Sequence, residues 1–272
     1  MPTSIIDVIR NRRSVRTFNG EALRPEDLQK LRDFIPTIET PFDVPVDIRI
    51  LNAKEHKLSS PVILGAELYT AAKVRRVLRG EEALGYAMEQ LVIYAASLGI
   101  GTVWLAATLS RQAFEAAMEL TSEEVMPAAT PLGYPAEKMS SRETLMRKGI
   151  KADQRLPFES IFFRGDFSTP LTQAEAGVYA VPLELVQRAP SATNKQPWRA
   201  VVENGNVHFY EKKTKGYAKE ATGDIQKVDL GIALAHFVLA VKELGIAGAL
   251  VDQDPGIAHE DDTEYILSFV AE

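Results

Sequence analysis

Apolar and polar positions along the chain follow two periods. In Leu84–Ile100, "LGYAMEQLVIYAASLGI", apolar residues fall at Leu84, Ala87, Met88, Leu91, Ala95 and Leu98, the spacing of one helical face. "LRPEDLQKLRDFI", opened by Pro25, predicts an amphipathic helix, and Ser4-x-x-Asp7 predicts a capped short one just before it in the chain. "VDIRIL" and "RAVVENGNVHFYEK" predict strands, the second run a hairpin about "ENGN". The uncharged stretch Leu91–Ala107 is a little short of the ~20 apolar residues of a membrane span. Its Gly99 and Gly101 favour another reading: a buried helix, a glycine stop, then a buried strand through "TVWLAA". "LTQAEAGVYAVPLELVQRAP" is helical in pattern, with Pro182 expected to kink or break it.

The pattern repeats. "LGIALAHFVLAVKELGI", Leu230–Ile246, aligns without gaps on Leu84–Ile100 at an offset of 146 (230 − 84), with seven of the seventeen positions identical. Convergence of two buried helices is the competing explanation, but identities in register favour duplication. Helices and short strands alternating in two related halves predict an α+β fold, the halves packed about a pseudo-two-fold axis through the long buried helices. The halves divide as 1–157 and 158–272.

Composition narrows the function. The 272 residues are 46% hydrophobic and 25% charged, as in an ordinary globular protein. A net charge of −6 argues against a nucleic-acid footprint. With no cysteines there are no disulfides, thiolate metal sites or cysteine nucleophile. "MPTSIIDVIRNRRS" lacks the apolar run of a signal peptide, so the cytoplasm is the expected compartment. No Walker loop, GxGxxG, HExxH or nucleophile elbow is present. His56, His208 and His259 have no metal spacing, and no metal is expected. His236, on a buried helix, reads as a satisfied core histidine.

Two stretches carry chemistry. "RNRRSVRTF" puts four arginines, Arg10, Arg12, Arg13 and Arg16, in seven residues after a short helix. They serve either as cations at a helix C-terminus or as an anion site. The alternation Arg12-x-Ser14-x-Arg16 favours the latter, because alternate residues of an extended segment face one way and suit a phosphate. "RAPSATNKQPW", Arg188–Trp198, has prolines that exclude a regular helix or central strand, and it presents Ser191, Asn194 and Gln196.

Arg12-x-Ser14-x-Arg16-x-Phe18 resembles the N-terminal motif of the FMN-dependent nitroreductase family. "APSATNKQPW" is similar to that family's second signature, and "LGIGTVWLAA" and "PLGYPAEK" resemble its later segments. Ordinary members place the second signature soon after the first and work as intertwined homodimers with FMN at the interface. Here the first half has "FIPTIETPFDVP" where the loop should follow, and in the second half the arginine motif has decayed to "FFRGDFS". The chain therefore resembles a fused branch in which one polypeptide imitates the dimer and keeps one flavin site, which implies a monomer.

The resemblance implies that Arg12 and Ser14 hold the FMN phosphate and ribityl chain, with Arg13 a further cofactor-binding candidate, while Arg16 lies by the N1/O2 edge of the ring and tunes it. Pro190, Ser191, Asn194 and Gln196 would lie along the flavin from the other half. Ala106 and Ala107 would offer a backbone N–H to N5. Arg155 would close on the phosphate. Asp153 stands where the family has a second basic residue, with Lys148 or Lys151 as substitutes. Trp198 and Trp104 read as packing residues. "YEKKTKGYAKEATGD", Tyr210–Asp224, reads as a mobile loop where the family has a lid or substrate-contacting segment.

The implied activity is FMN-dependent transfer of a hydride from NAD(P)H to a nitroaromatic, quinone or similar conjugated acceptor. The flavin carries the chemistry, so no separate catalytic side chain is expected. A non-catalytic FMN carrier or sensor, a member that has lost flavin, and a dimer-like structural protein binding another anion are the competing readings.

Overall fold

The structure, a computed structural model, describes residues 4–272, so Met1–Thr3 of the N-terminal stretch lie outside the described residues. The chain opens on α1 (Ile5–Asn11), capped as expected by Ser4 Oγ, which accepts the Asp7 N–H at 3.3 Å. Pro25 begins α2 (Pro25–Phe34), where a missing N–H costs nothing. There follow β1 (Asp47–Asn52), β2 (Leu68–Arg75), α3 (Gly80–Ser97), α4 (Arg111–Ala117), β3 (Glu124–Val125), β4 (Ala129–Leu132) and α5 (Ser141–Gly149). β2 is the centre of the first sheet, antiparallel to β1 on one edge and to β3 and β4 on the other. Tyr69 of β2 meets Phe114 of α4 edge-on, ring centroids 5.2 Å apart, and so fastens that helix to the sheet.

The remaining elements are β5 (Phe162–Arg164), α6 (Ala180–Arg188), β6 (Trp198–Glu203), β7 (Asn206–Lys212), β8 (Ala218–Lys219), β9 (Gly223–Asp224), α7 (Ile225–Glu243), β10 (Gly248–Val251) and β11 (Thr263–Ala271). The second sheet runs β10-β11-β7-β6-β5 and is antiparallel except for the β5–β6 pair. The expected hairpin turns through Asn204 and Gly205, both at positive φ, which matches the twist of the flanking strands.

The two repeated helices, α3 and α7, cross in the middle of the protein. At Gly85 an added Cβ would lie 2.1 Å from the Val228 carbonyl oxygen, and at Gly231 it would lie 2.0 Å from that of Glu82. The offset of 146 carries Gly85 onto Gly231 and Glu82 onto Val228. Each contact is thus the image of the other, which is the signature of a two-fold interface. Both helices are buried almost all round, as core helices must be. This is the α+β arrangement that the sequence pattern predicts. The first half also reaches into the second: Ile6 and Ile9 of α1 pack with Leu185 of α6 and Ala240 of α7.

Three details differ from the sequence expectation. "TVWLAA" is no regular strand; it makes single bridges, Leu105 to Ala129 among them, because the next facing residues, Pro127 and Pro131, have no N–H to extend a ladder, and Arg111 holds the Ala106 and Pro127 carbonyls at 3.0 and 3.1 Å. Pro182 neither kinks nor breaks α6, since the helix starts at Ala180 and a first-turn N–H has no intrahelical partner. Tyr210–Asp224 is not wholly irregular: it holds the end of β7 and the β8–β9 hairpin, with turns between them. No helix among the described residues is long and apolar enough to cross a membrane; α3 stops at Ser97, with Gly99 at φ 76°.

Candidate functional site

α1 ends at Arg12 with an extended backbone, and the chain then runs straight, pinned by the Val15 N–H on the Thr102 carbonyl at 2.8 Å. Val15 turns into the core, while Arg12, Ser14 and Arg16 turn into one cleft, as the alternation requires; Phe18, past the cleft, is buried instead. Arg13 reaches the same cleft from its rim, its Nη1 3.7 Å from the buried carboxylate of Glu143. Ala106 and Ala107 form another part of the wall. The Ala106 carbonyl is held by Arg111, and neither N–H donates to an acceptor among the described residues.

The opposite wall comes from the second half of the chain. Pro190–Asn194 borders the cleft in a tight turn in which Thr193 and Asn194 have φ of 48° and 58°. Such backbone costs about 1–3 kcal/mol per residue and persists only where surroundings over-determine it. Here the Asp229 carboxylate oxygens take the Ala192 N–H at 3.0 and 3.1 Å, and Ser191 Oγ takes the Gln196 N–H at 2.9 Å. The Asn194 amide is committed to the protein, donating to the Lys151 and Gln154 carbonyls at 2.8 and 3.0 Å. Gln196 does not line the cleft: it is buried, and its Oε1 accepts the Leu156 N–H at 2.9 Å. Ten of the eleven sequence candidates therefore border one space, and Gln196 supports it from behind.

The cleft has a volume of about 600 Å³. Its charge is unbalanced. Arg12, Arg16, Arg147 and Arg155 all line it. Arg12 Nε, Arg16 Nε and Nη1, and Arg155 Nε are buried without any hydrogen-bond partner. Burial lowers the Arg16 pKa, opposed by Glu143; burial also lowers that of Arg155, and the Arg12 charge adds to the effect. Both remain cations, because a guanidinium does not deprotonate near neutrality. Buried cationic donors without acceptors are costly, and an anion with several oxygens would satisfy them.

Behind Arg12 lies a buried network. Glu89 Oε1 faces His236 Nε2 at 2.9 Å and lies 3.9 Å from Arg12 Nε, while its Oε2 accepts the Trp104 indole N–H at 2.7 Å. His236 Nδ1 faces the Leu185 carbonyl at 2.8 Å and so must be the donor there. The histidine is a satisfied core residue, as expected. Trp104 is corrected from core to cleft wall: one side of it packs on the core and the other borders the cleft. Trp198 is fully buried, the packing anchor expected.

Sequence reasoning missed Arg147 and Asp229, and it named the 210–224 segment without its cleft residues. Neither Lys148 nor Lys151 enters the cleft; the extra cation is Arg147, which donates to the Ser14 carbonyl at 3.4 Å and pairs with Asp153. Its signal was its position in the last turn of α5, where one face turns inward. Asp229 lines the cleft from α7, a mostly apolar buried helix. Tyr217, whose hydroxyl bonds Thr193, and Lys219 bring the 210–224 segment into the wall. Among the described residues no group of three His, Cys, Asp or Glu side chains is placed to hold a metal ion.

Residues 4–241 match the family model described as "Putative TM nitroreductase". A crystal structure of a "putative nitroreductase" from Thermotoga maritima aligns over 100% of this chain and 95% of its own, with 21% identity and a TM-score of 0.64. The hypothetical oxidoreductase YcnD of Bacillus subtilis covers 64% of this chain and 77% of its own at 20% identity, TM-score 0.47. An FMN-dependent nitroreductase from Clostridium difficile R20291 covers 53% of this chain and 95% of its own at 15% identity, TM-score 0.41. Among curated proteins no significant match is found. With the fold shared over its whole length and the family model matched over nearly all of it, the chain belongs to the TM nitroreductase family.

Proposed function

We propose that the chain is an FMN-dependent oxidoreductase that passes a hydride from NAD(P)H to a small conjugated acceptor, with one flavin per polypeptide. The observation that carries this reading is the set of buried, unpartnered guanidinium N–H groups of Arg12, Arg16 and Arg155 around one cleft. A cleft of about 600 Å³ is within the range of cofactor sites. The donor set fits FMN: Arg12, Arg13, Ser14 and Arg155, with Arg147, would hold the phosphate. Arg16 would meet the electron-rich edge of the ring and favour its reduced, anionic form. The free N–H groups of Ala106 and Ala107 suit an acceptor nitrogen. Bound flavin would supply the redox chemistry, and the protein orients it and excludes water.

In this reading the halves 1–157 and 158–272 stand for the two subunits of a dimer, each contributing one wall, so the protein works as a monomer. The cytoplasm, where NAD(P)H is regenerated, is its proposed compartment. The test is a flavin-to-polypeptide ratio followed by anaerobic reduction with NADH and NADPH and reoxidation by a quinone or a nitroaromatic. About one flavin per chain, bleached and restored, is expected. Bound flavin that neither nucleotide reduces favours a carrier, and protein that takes up no FMN overturns the reading.

A further inference from the structure

Asp229 is a buried carboxyl group with no cation beside it. It is 2% exposed, makes no ion pair, and receives one hydrogen bond, the Ala192 N–H that its two oxygens share at 3.0 and 3.1 Å. The charges that act on it are those of Asp224, at the N-cap of α7, and Glu211 on β7, both acids. Burial pushes its pKa well above the usual carboxylate range; the Ala192 N–H pulls against that, and the charges of Asp224 and Glu211 add a smaller push upward. An ionised carboxylate placed so would pay for desolvation with a single backbone amide. A neutral acid would not, but its hydroxyl then needs an acceptor. Within the protein Asp229 only accepts, and beside it lies the cleft.

We propose that Asp229 stands in the cleft wall as a neutral carboxylic acid and donates the proton taken up by a carbonyl- or nitro-bearing acceptor reduced there. This deepens, and rests on, the flavin oxidoreductase reading. A quinone-like acceptor becomes its dihydro form by gaining a hydride, which the reduced dinucleotide supplies through the flavin, and one proton. The Asp229 O–H bond breaks, its electron pair stays on the carboxylate, and an O–H bond forms on the acceptor. Water entering after product release restores the acid. The ligand class follows: the acceptor carries an oxygen able to take a hydrogen bond from this wall.

The first measurement is infrared spectroscopy of the flavin-free protein at neutral pH, with the aspartates carboxyl-labelled with ¹³C. The label separates Asp229 from Glu82 and Glu211, whose acids burial also pushes up. A protonated, labelled carboxyl band is expected in the wild type and absent in Asp229→Asn. The second is stopped-flow kinetics of the flavin-loaded proteins. Asn keeps an oxygen for the Ala192 N–H but has no transferable proton, so the loss falls on the reoxidation half-reaction far more than on reduction by NAD(P)H. Reoxidation by a benzoquinone slows by about 100-fold, the usual scale for losing a general acid. A wild type without the band, or a variant reoxidised at the wild-type rate, overturns the proposal. Should Asp229→Asn fail to fold, the wild-type band decides alone. Failure of the wild type to bind FMN strikes instead at the reading beneath.

Discussion

At the scale of single residues, the buried charges decide what the protein tolerates. Arg16 is 7% exposed with two unpartnered nitrogens, a state that an anionic ligand relieves. Charge-assisted hydrogen bonds of this kind contribute about 1.5–3 kcal/mol. Arg16→Ala is therefore expected to weaken FMN about 10- to 100-fold by fluorescence titration. Glu89 serves Trp104 and His236 and lies beside Arg12, so Glu89→Leu leaves the Trp104 indole N–H and His236 Nε2 without partners inside the protein. Removing one partner from such a buried network costs about 3–5 kcal/mol, measurable by urea unfolding. Glu211 has both oxygens buried and unpartnered; burial, then Asp224, push its pKa from 4.5 up to about 7. Between those values the folded state keeps a proton that the unfolded chain has released, so stability falls as pH rises and levels off above about 7. Glu211→Gln is expected to reduce the drop in urea midpoint between about pH 5 and about pH 8, a window that spans the shift. The arginine motif was legible from alternation because an extended segment needs no partner to orient its side chains. Arg147 and Asp229 were not: each sits on a helix whose inward face is set by what packs on it.

At the scale of elements, the α3–α7 crossing depends on two glycines. A methyl at Gly85 or at Gly231 would meet a backbone carbonyl oxygen at 2.1 or 2.0 Å, and neither helix can move without disturbing the other half. Alanine improves helix propensity by about 1 kcal/mol, but overpacking at a backbone contact costs about 3 kcal/mol or more. Gly85→Ala and Gly231→Ala should each lower the urea midpoint, and by similar amounts, since the contacts are images of one another. The repeat, the capped α1, the proline-led α2 and the Asn204–Gly205 hairpin were all readable from local pattern. "TVWLAA" was not: its apolar run has strand composition, yet the segment that faces it supplies Pro127 and Pro131, which have no N–H for a ladder. The loop so formed borders the cleft.

At the scale of the whole molecule, the cleft walls come from distant parts of one chain: Arg12–Arg16 on one side, Pro190–Asn194 and Asp229 on the other. If one polypeptide stands for a dimer, sedimentation should give a single-chain mass with and without FMN; a stable dimer would mean that the fused halves do not complete the site. The sequence by itself determined the repeated helix pattern, most of the helix and strand types and the two motifs, because periodicity, caps and turn residues act within a few positions. Only the tertiary structure decided which polar groups stay free for a ligand. Folding committed the Asn194 amide to Lys151 and Gln154 and turned Gln196 inward, while it left Arg12 Nε, Arg16 Nε and Nη1, and Arg155 Nε unpaired and brought an acid from α7 to face the cleft. A hydrogen bond is settled by distances between segments far apart in sequence, and no local pattern carries that information.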